Sequence, residues 1–291
     1  MRNNGRLQKS YAAVSGNRQV ILAYMFFGLM VATRANAEII TVGDQQATAA
    51  VSMTDIDHST WDALLQKYVN ERGMVNYSAL KSSAADMQSL DAYLKHLSSA
   101  KVEPSDASNR NAQLAFWINS YNAVTLHGML REYPTKSIKD HASQLGGYNI
   151  WKHYQLFVGG KPYSLDDMEH KILRKMDEPR IHFAVVCASI SCPRLLNRAY
   201  VPDMLEQQLQ LNTRDFFAQP GNFRYDAGKR RAYLSSILKW YGTDFAPTAV
   251  TQLKKLVEYL PDAVAQQAVT SGNFKVSYQK YDWGINEVTK R

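Results

Sequence analysis

Cysteine is nearly absent from this chain: two among 291 residues, at positions 187 and 192. Two sulfurs close one disulfide at most. Long apolar runs are missing as well: the thirteen residues 20–32 form the longest near the amino end, and no later segment reaches membrane-spanning length. A helix rising about 1.5 Å per residue needs roughly twenty residues to cross the hydrocarbon, so no transmembrane segment is expected in the mature chain. Internal repeats, heptad arrays and low-complexity linkers are also lacking, which leaves one compact domain with an apolar core as the simplest organisation. A strong excess of one charge is absent too. The formal charge is +8, but residues 1–37 hold five of the thirty-four basic residues and no acid, so beyond Ala37 the excess falls to three. Such a balance argues against nucleic acid as partner, because phosphate-binding surfaces cluster Lys and Arg. The one dense cluster, Lys229-Arg230-Arg231 after Asp226-Ala227-Gly228, reads as a solvated hairpin turn.

What is present begins with Arg2, Arg6, Lys9 and Arg18 ahead of the apolar run, followed by Ala35-Asn36-Ala37. That order of basic, apolar and small residues is expected to be a secretory signal cleaved near Ala37, and it places the mature protein in the periplasm or outside the cell. Residues 38–54 are expected to be an irregular lead-in and 55–291 a single domain.

Helical spacing of Trp61, Leu64, Leu65 and Tyr68 predicts a helix over 59–70, and two more helices are expected over 87–97 and 113–131. Tyr133-Pro134 ends the last of these, since the residue before proline avoids the α region. Short strands are expected at 74–77 and 274–278, and hairpins at 154–163 and 223–234, the first turning on Gly159-Gly160. Ser164 is placed to cap a helix carrying Asp166, Asp167, Glu169 and His170. The apolar run 181–187 reads as a buried strand with His182 near its start. Helices at 203–217 and 247–260 complete an α+β fold, with helices packed on a small, mostly antiparallel sheet.

Chemistry concentrates in two places. Asn119 and Asn122 lie three apart on an otherwise apolar helix, and buried amides need partners, either backbone or a polar pocket. The stretch from Arg180 to Arg194 holds His182, Cys187 and Cys192. Its cysteines admit three readings: a structural Cys187–Cys192 disulfide; a nucleophile activated by His170 or His182; or a zinc site of Cys187, Cys192, His182 and His170, for which no second paired motif follows. Glu169 and His170 are adjacent, and on an α-helix adjacent residues face apart, so one of them is expected to enter a site.

Together, Ala115-Phe116-Trp117-Ile118-Asn119-Ser120-Tyr121-Asn122-Ala123, Tyr163-Ser164-Leu165-Asp166-Asp167 with Glu169-His170, and Ile181-His182-Phe183-Ala184 through Ser191-Cys192-Pro193 resemble the family called domain of unknown function 547. The Tyr281-Asp282-Trp283 ending is similar to it as well. The resemblance spans roughly 65–286, and it implies a domain found in exported bacterial proteins and in plant proteins without implying an activity. A looser similarity in element order, a helix followed by strands, links the chain to papain-like and transglutaminase-like thiol enzymes, although Asn119 stands where their cysteine is expected.

The resulting expectation is a thiol-dependent hydrolase of amide or peptide-like envelope material that needs no cofactor and no metal. Cys187 attacks, His182 or His170 takes the proton, and Asn119 helps hold the oxyanion; Asn122, Glu169, Cys192, Arg194 and Asp282 line the binding site. The alternative is a non-enzymatic protein binding an envelope peptide or glycan-like ligand.

Overall fold

The computed structural model describes residues 37–288 except 105, 107 and 146. All of the expected signal segment but Ala37 lies outside the described residues. The segment expected to be an irregular lead-in contains a strand, β1 (Ile40–Val42), whose Ile-Thr-Val sequence suits extended backbone.

Helix α1 (Ser59–Tyr68) buries Trp61, Leu64, Leu65 and Tyr68 on one face, as their spacing requires. The strand expected at 74–77 shrinks to isolated bridges from Val75 to Val69 and to Glu287. The Asn76 side chain accepts the Ala79 N–H and starts helix α2 (Tyr77–Ser82) instead. Helix α3 (Ala84–Ser98) follows directly, capped by Ser83. Helix α4 (Arg110–Glu132) then runs about 34 Å through the interior, buried on all sides over most of its length. It is a core helix: among the described residues no helix is long and apolar enough to cross a membrane.

After the short helix α5 (Ile150–His153), strands β2 (Tyr154–Val158) and β3 (Lys161–Ser164) form the expected hairpin. Its turn needs glycine at both central positions, with φ of +56° at Gly159 and +92° at Gly160. A side chain at Gly159 would also meet the Ala100 carbonyl at 3.0 Å. Strand β1 adds to β2 in parallel.

Helix α6 (Leu205–Ala218) precedes a second hairpin of β4 (Phe223–Asp226) and β5 (Arg231–Leu234). Four short helices, α7 (Ser236–Trp240), α8 (Gly242–Phe245), α9 (Ala249–Lys255) and α10 (Ala263–Ser271), lead to β6 (Lys275–Tyr278), which pairs with β5 in parallel. The α+β class holds, but the single, mostly antiparallel sheet is in fact two three-stranded mixed sheets, β1-β2-β3 and β4-β5-β6.

The expected strand at 181–187 is not a strand. Pro179 at the first helical position, with the Glu178 side chain accepting the Arg180 N–H, starts a 3-10 turn over Pro179–Phe183. Irregular chain follows, and its apolar side chains reflect burial alone. Phe183 and Cys187 pack into an apolar cluster with Phe216, Phe217 and Phe245, while Cys192 packs against a larger cluster containing Trp117 and Tyr121 of α4. Trp283 touches both. The two cysteines thus sit where the two halves of the core meet.

Candidate functional site

Three pieces of chain build this seam. The first follows β3. Ser164 Oγ accepts the Asp167 N–H at 3.1 Å while Asp167 accepts the Ser164 N–H at 3.0 Å, the reciprocal arrangement that starts a helix. The turn it starts, Asp167–Ile172, is π-helical. Because a π turn holds more residues than an α turn, neighbouring side chains diverge by a smaller angle. Glu169 and His170 therefore both line the cavity, where α-helical reasoning admitted one.

The second piece carries the cysteines. Asn122 of α4 donates to the Ala184 carbonyl and accepts the Val186 N–H, both at 3.0 Å, pinning the chain just before Cys187. Asn119 clamps Tyr200 in the same way, at 2.8 and 2.9 Å. Both amides are buried and engaged at each end, so the oxyanion role expected of Asn119 and the pocket role expected of Asn122 are corrected to backbone clamps. Ala188 has a φ of +55°, a left-handed conformation that an alanine adopts only when its surroundings impose it. The third piece, 282–286, imposes it. Ile190 donates to the Gly284 carbonyl, Asn286 to the Ala188 carbonyl and Ser191 to the Asp282 carbonyl.

Two other expected binding residues do structural work. Asp282 Oδ1 accepts the Gly284 N–H in a local turn, and its own N–H goes to Ser191 Oγ. Arg194 donates to Asn212 and to the Glu71 carbonyl. Neither lines the cavity.

The cavity measures about 370 Å³ and is lined by His182, Cys187 and Cys192 together with Glu169 and His170. Both cysteines are free. Their sulfurs lie 3.1 Å apart, and the Cys187 N–H donates to Cys192 Sγ at 3.0 Å. The Cys187 sulfur also meets Ser189 Oγ at 3.1 Å and the Tyr281 hydroxyl at 3.2 Å. These contacts, the Cys192 thiol foremost, lower the Cys187 pKa below the ordinary 9.0 against the opposing effects of burial and of Glu169. Cys192 moves the other way, pushed up by burial and then by its neighbour. The shared contact thus moves the two thiols in opposite directions, Cys187 towards easier ionisation and Cys192 away from it.

His182 Nε2 lies 2.8 Å from Asp244 Oδ2, and its ring stacks on Tyr241 at 4.3 Å. With Nε2 donating to that carboxylate, Nδ1 is the nitrogen left to accept a proton. Burial lowers the His182 pKa, and Asp244 partly offsets this. Asp244 is gripped at both oxygens by Arg174, at 2.6 and 2.7 Å, which holds its carboxyl down to about 2. The third guanidinium nitrogen of Arg174 donates to His170 Nδ1 at 3.0 Å. His170 is thereby tied to the support of the other histidine. Among the described residues no three His, Cys, Asp or Glu side chains converge as a metal site, so the zinc set of Cys187, Cys192, His182 and His170 is not assembled.

Asp244, Arg174 and Tyr241 were missed in the sequence. Arg174 had a signal, one α-helical turn after His170. Asp244 had none, because α8 has four residues and shows no periodicity. Also unforeseen is the aromatic wall of Trp151, Trp240, Tyr281 and Trp283, in which Trp240 stacks on Trp283 at 5.7 Å and Tyr281 leans on Trp283 at 4.5 Å.

Residues 104–217 match the family model described as "Protein of unknown function, DUF547". The match is narrower than the span over which the motifs resemble the family. It includes both thiols, both histidines, Glu169 and Arg174, and it ends before Asp244 and most of the aromatic wall. No curated protein and no solved structure matches the chain.

Proposed function

We propose that this chain, which carries a DUF547 domain, is a thiol-dependent hydrolase of amide or peptide-like compounds, with Cys187 as nucleophile and the His182–Asp244 pair as its base. The observation that carries this reading is the convergence of hydrogen bonds on Cys187 Sγ inside a cavity that also holds a carboxylate-oriented histidine. In the reaction the Cys187 sulfur bonds to the substrate carbonyl carbon and the thiol proton passes to His182 Nδ1. The C–N bond then breaks, and His182 returns the proton to the departing amine. Water, deprotonated by His182, cleaves the thioester and restores the thiol. The resting thiol is bonded to Ser189 and Tyr281 rather than to His182, so substrate entry has to bring sulfur and imidazole into line. With Asn119 and Asn122 occupied elsewhere, Ser189 and Tyr281 supply the hydroxyls in contact with the reacting sulfur, and these take the oxyanion role. Export to the cell envelope, read from residues 1–37, supplies the setting in which such material is met.

The test is reaction with p-nitrophenyl acetate. The expected result is a stoichiometric burst of nitrophenolate, with an acetyl group on Cys187 found by peptide mass analysis. Asp244→Asn should slow the burst by roughly a hundredfold or more through loss of the base's orientation. Acetylation of Cys192 instead, or a burst that survives in Cys187→Ser, rejects the reading. The aromatic wall favours the second reading, a binding protein whose cavity holds a ligand without turnover; saturable binding with no acyl-enzyme on Cys187 would support it.

A further inference from the structure

The cavity holds one buried acid that the thiol chemistry leaves unused. Glu169 is 7% exposed and accepts the Tyr121 hydroxyl at 3.1 Å on Oε2. Burial, the Glu169 charge and a side-chain hydrogen bond to Glu169 raise the Tyr241 pKa, so the acid's nearest partners are two neutral phenols. Among the described residues no Lys, Arg or His makes an ion pair with it. Arg174, whose titration it influences, is committed to Asp244 and His170. Lys152 lines the same cavity but is exposed and makes no bond to Glu169. Buried carboxylates are ordinarily paired, since an isolated charge out of water is strongly unfavourable.

The remaining walls suit a cation. Trp151, Trp240, Tyr281 and Trp283 offer ring faces with negative electrostatic potential, and Lys139 Nζ already lies 5.1 Å from the Trp283 ring centre. A neutral sugar or an alkyl chain would cover these rings and leave the carboxylate without a counter-charge.

We propose that the cavity recognises a cationic amine, its ammonium held by Glu169 and its carbon skeleton lying on the aromatic wall. Resting on the thiol-hydrolase reading, this makes the substrate an acyl compound that carries an ammonium group, at a separation from the scissile carbonyl that the two amine probes below distinguish. Acid and nucleophile share one cavity, and the Glu169 charge opposes ionisation of Cys187. An ammonium seated on Glu169 removes that opposition, so the correct substrate favours the thiolate that attacks it.

Calorimetric titration with norleucine amide and 6-aminohexanamide, each compared with hexanamide, tests this on the intact protein. The three share a six-carbon amide and differ in the presence and position of the ammonium. One of the amines should bind at least about tenfold tighter than hexanamide, and Glu169→Gln should abolish that preference. Trp240→Leu, which alters a 45% exposed ring, should narrow it without disturbing the fold. Equal binding of all three amides, binding of none, or a preference unchanged in Glu169→Gln overturns the proposal. The same titration on Cys187→Ser keeps the two ideas apart: amine preference there with no acyl-enzyme in the wild type leaves amine recognition standing and rejects the hydrolase.

Discussion

Cys187 owes its character to three neighbours, and each makes a separable contribution. Cys192 is the largest, so Cys192→Ala should raise the pH at which Cys187 alkylation by iodoacetamide reaches half its maximal rate. Tyr281→Phe should raise it by less, and a midpoint unchanged in both variants would mean that the hydrogen bonds do not set the thiol's acidity. The amide clamp that positions this residue is testable by stability. Asn122→Ala strands the Ala184 carbonyl and the Val186 N–H and should cost about 1–3 kcal/mol in urea denaturation. Away from the cavity, His58 is buried against Tyr93 at 2.7 Å, and burial draws its pKa from 6.5 down to about 4. The unfolded chain therefore binds the extra proton first. The stabilising contribution is full above pH 6.5 and is lost as pH falls towards 4, by at most about 3 kcal/mol. Urea midpoints measured across that window should fall less steeply in His58→Gln than in the wild type.

The elements that were legible in the sequence share one property, a regular period or explicit punctuation. Helices α1, α3, α4 and α6 carry apolar residues at helical spacing over several turns, and the β2–β3 turn is marked by Gly159-Gly160. The failures lie where pattern and structure part. The run 181–187 is apolar because it is buried in the core, and a short apolar run does not distinguish a strand from a 3-10 turn followed by irregular chain. Helices α7 and α8 are too short to show a period, which hid Asp244 and with it the orientation of His182. The thiols and His182 were found by residue type alone, without their correct surroundings. The π turn was likewise invisible, though its start was not: Ser164→Ala should remove the hydroxyl's half of the reciprocal pairing with Asp167 and lower stability by roughly 1 kcal/mol while repositioning Glu169 and His170. Amine binding that weakens in this variant more than stability does would connect the turn to the cavity.

At the scale of the molecule, the site lies where two apolar clusters meet, and the segment 282–286 braces the chain that carries the thiols. Trp283 packs against both clusters, and the neighbouring backbone pairs with 188–191. This accounts for the strained φ of Ala188 and for a cavity wall drawn from parts of the chain more than a hundred residues apart, Trp151 and Trp283 among them. The architecture was legible only as a class. Which side chains meet across the seam depends on contacts distant in sequence, and no local spacing encodes them. The most direct measurement of the central claim is stoichiometric alkylation of the native protein with iodoacetamide at neutral pH, mapped by peptide mass. Cys187 should be modified ahead of Cys192, with the rate falling in acid as the Cys187 thiolate is protonated. Faster modification of Cys192, or equal slow modification of both as in denatured chain, would contradict it.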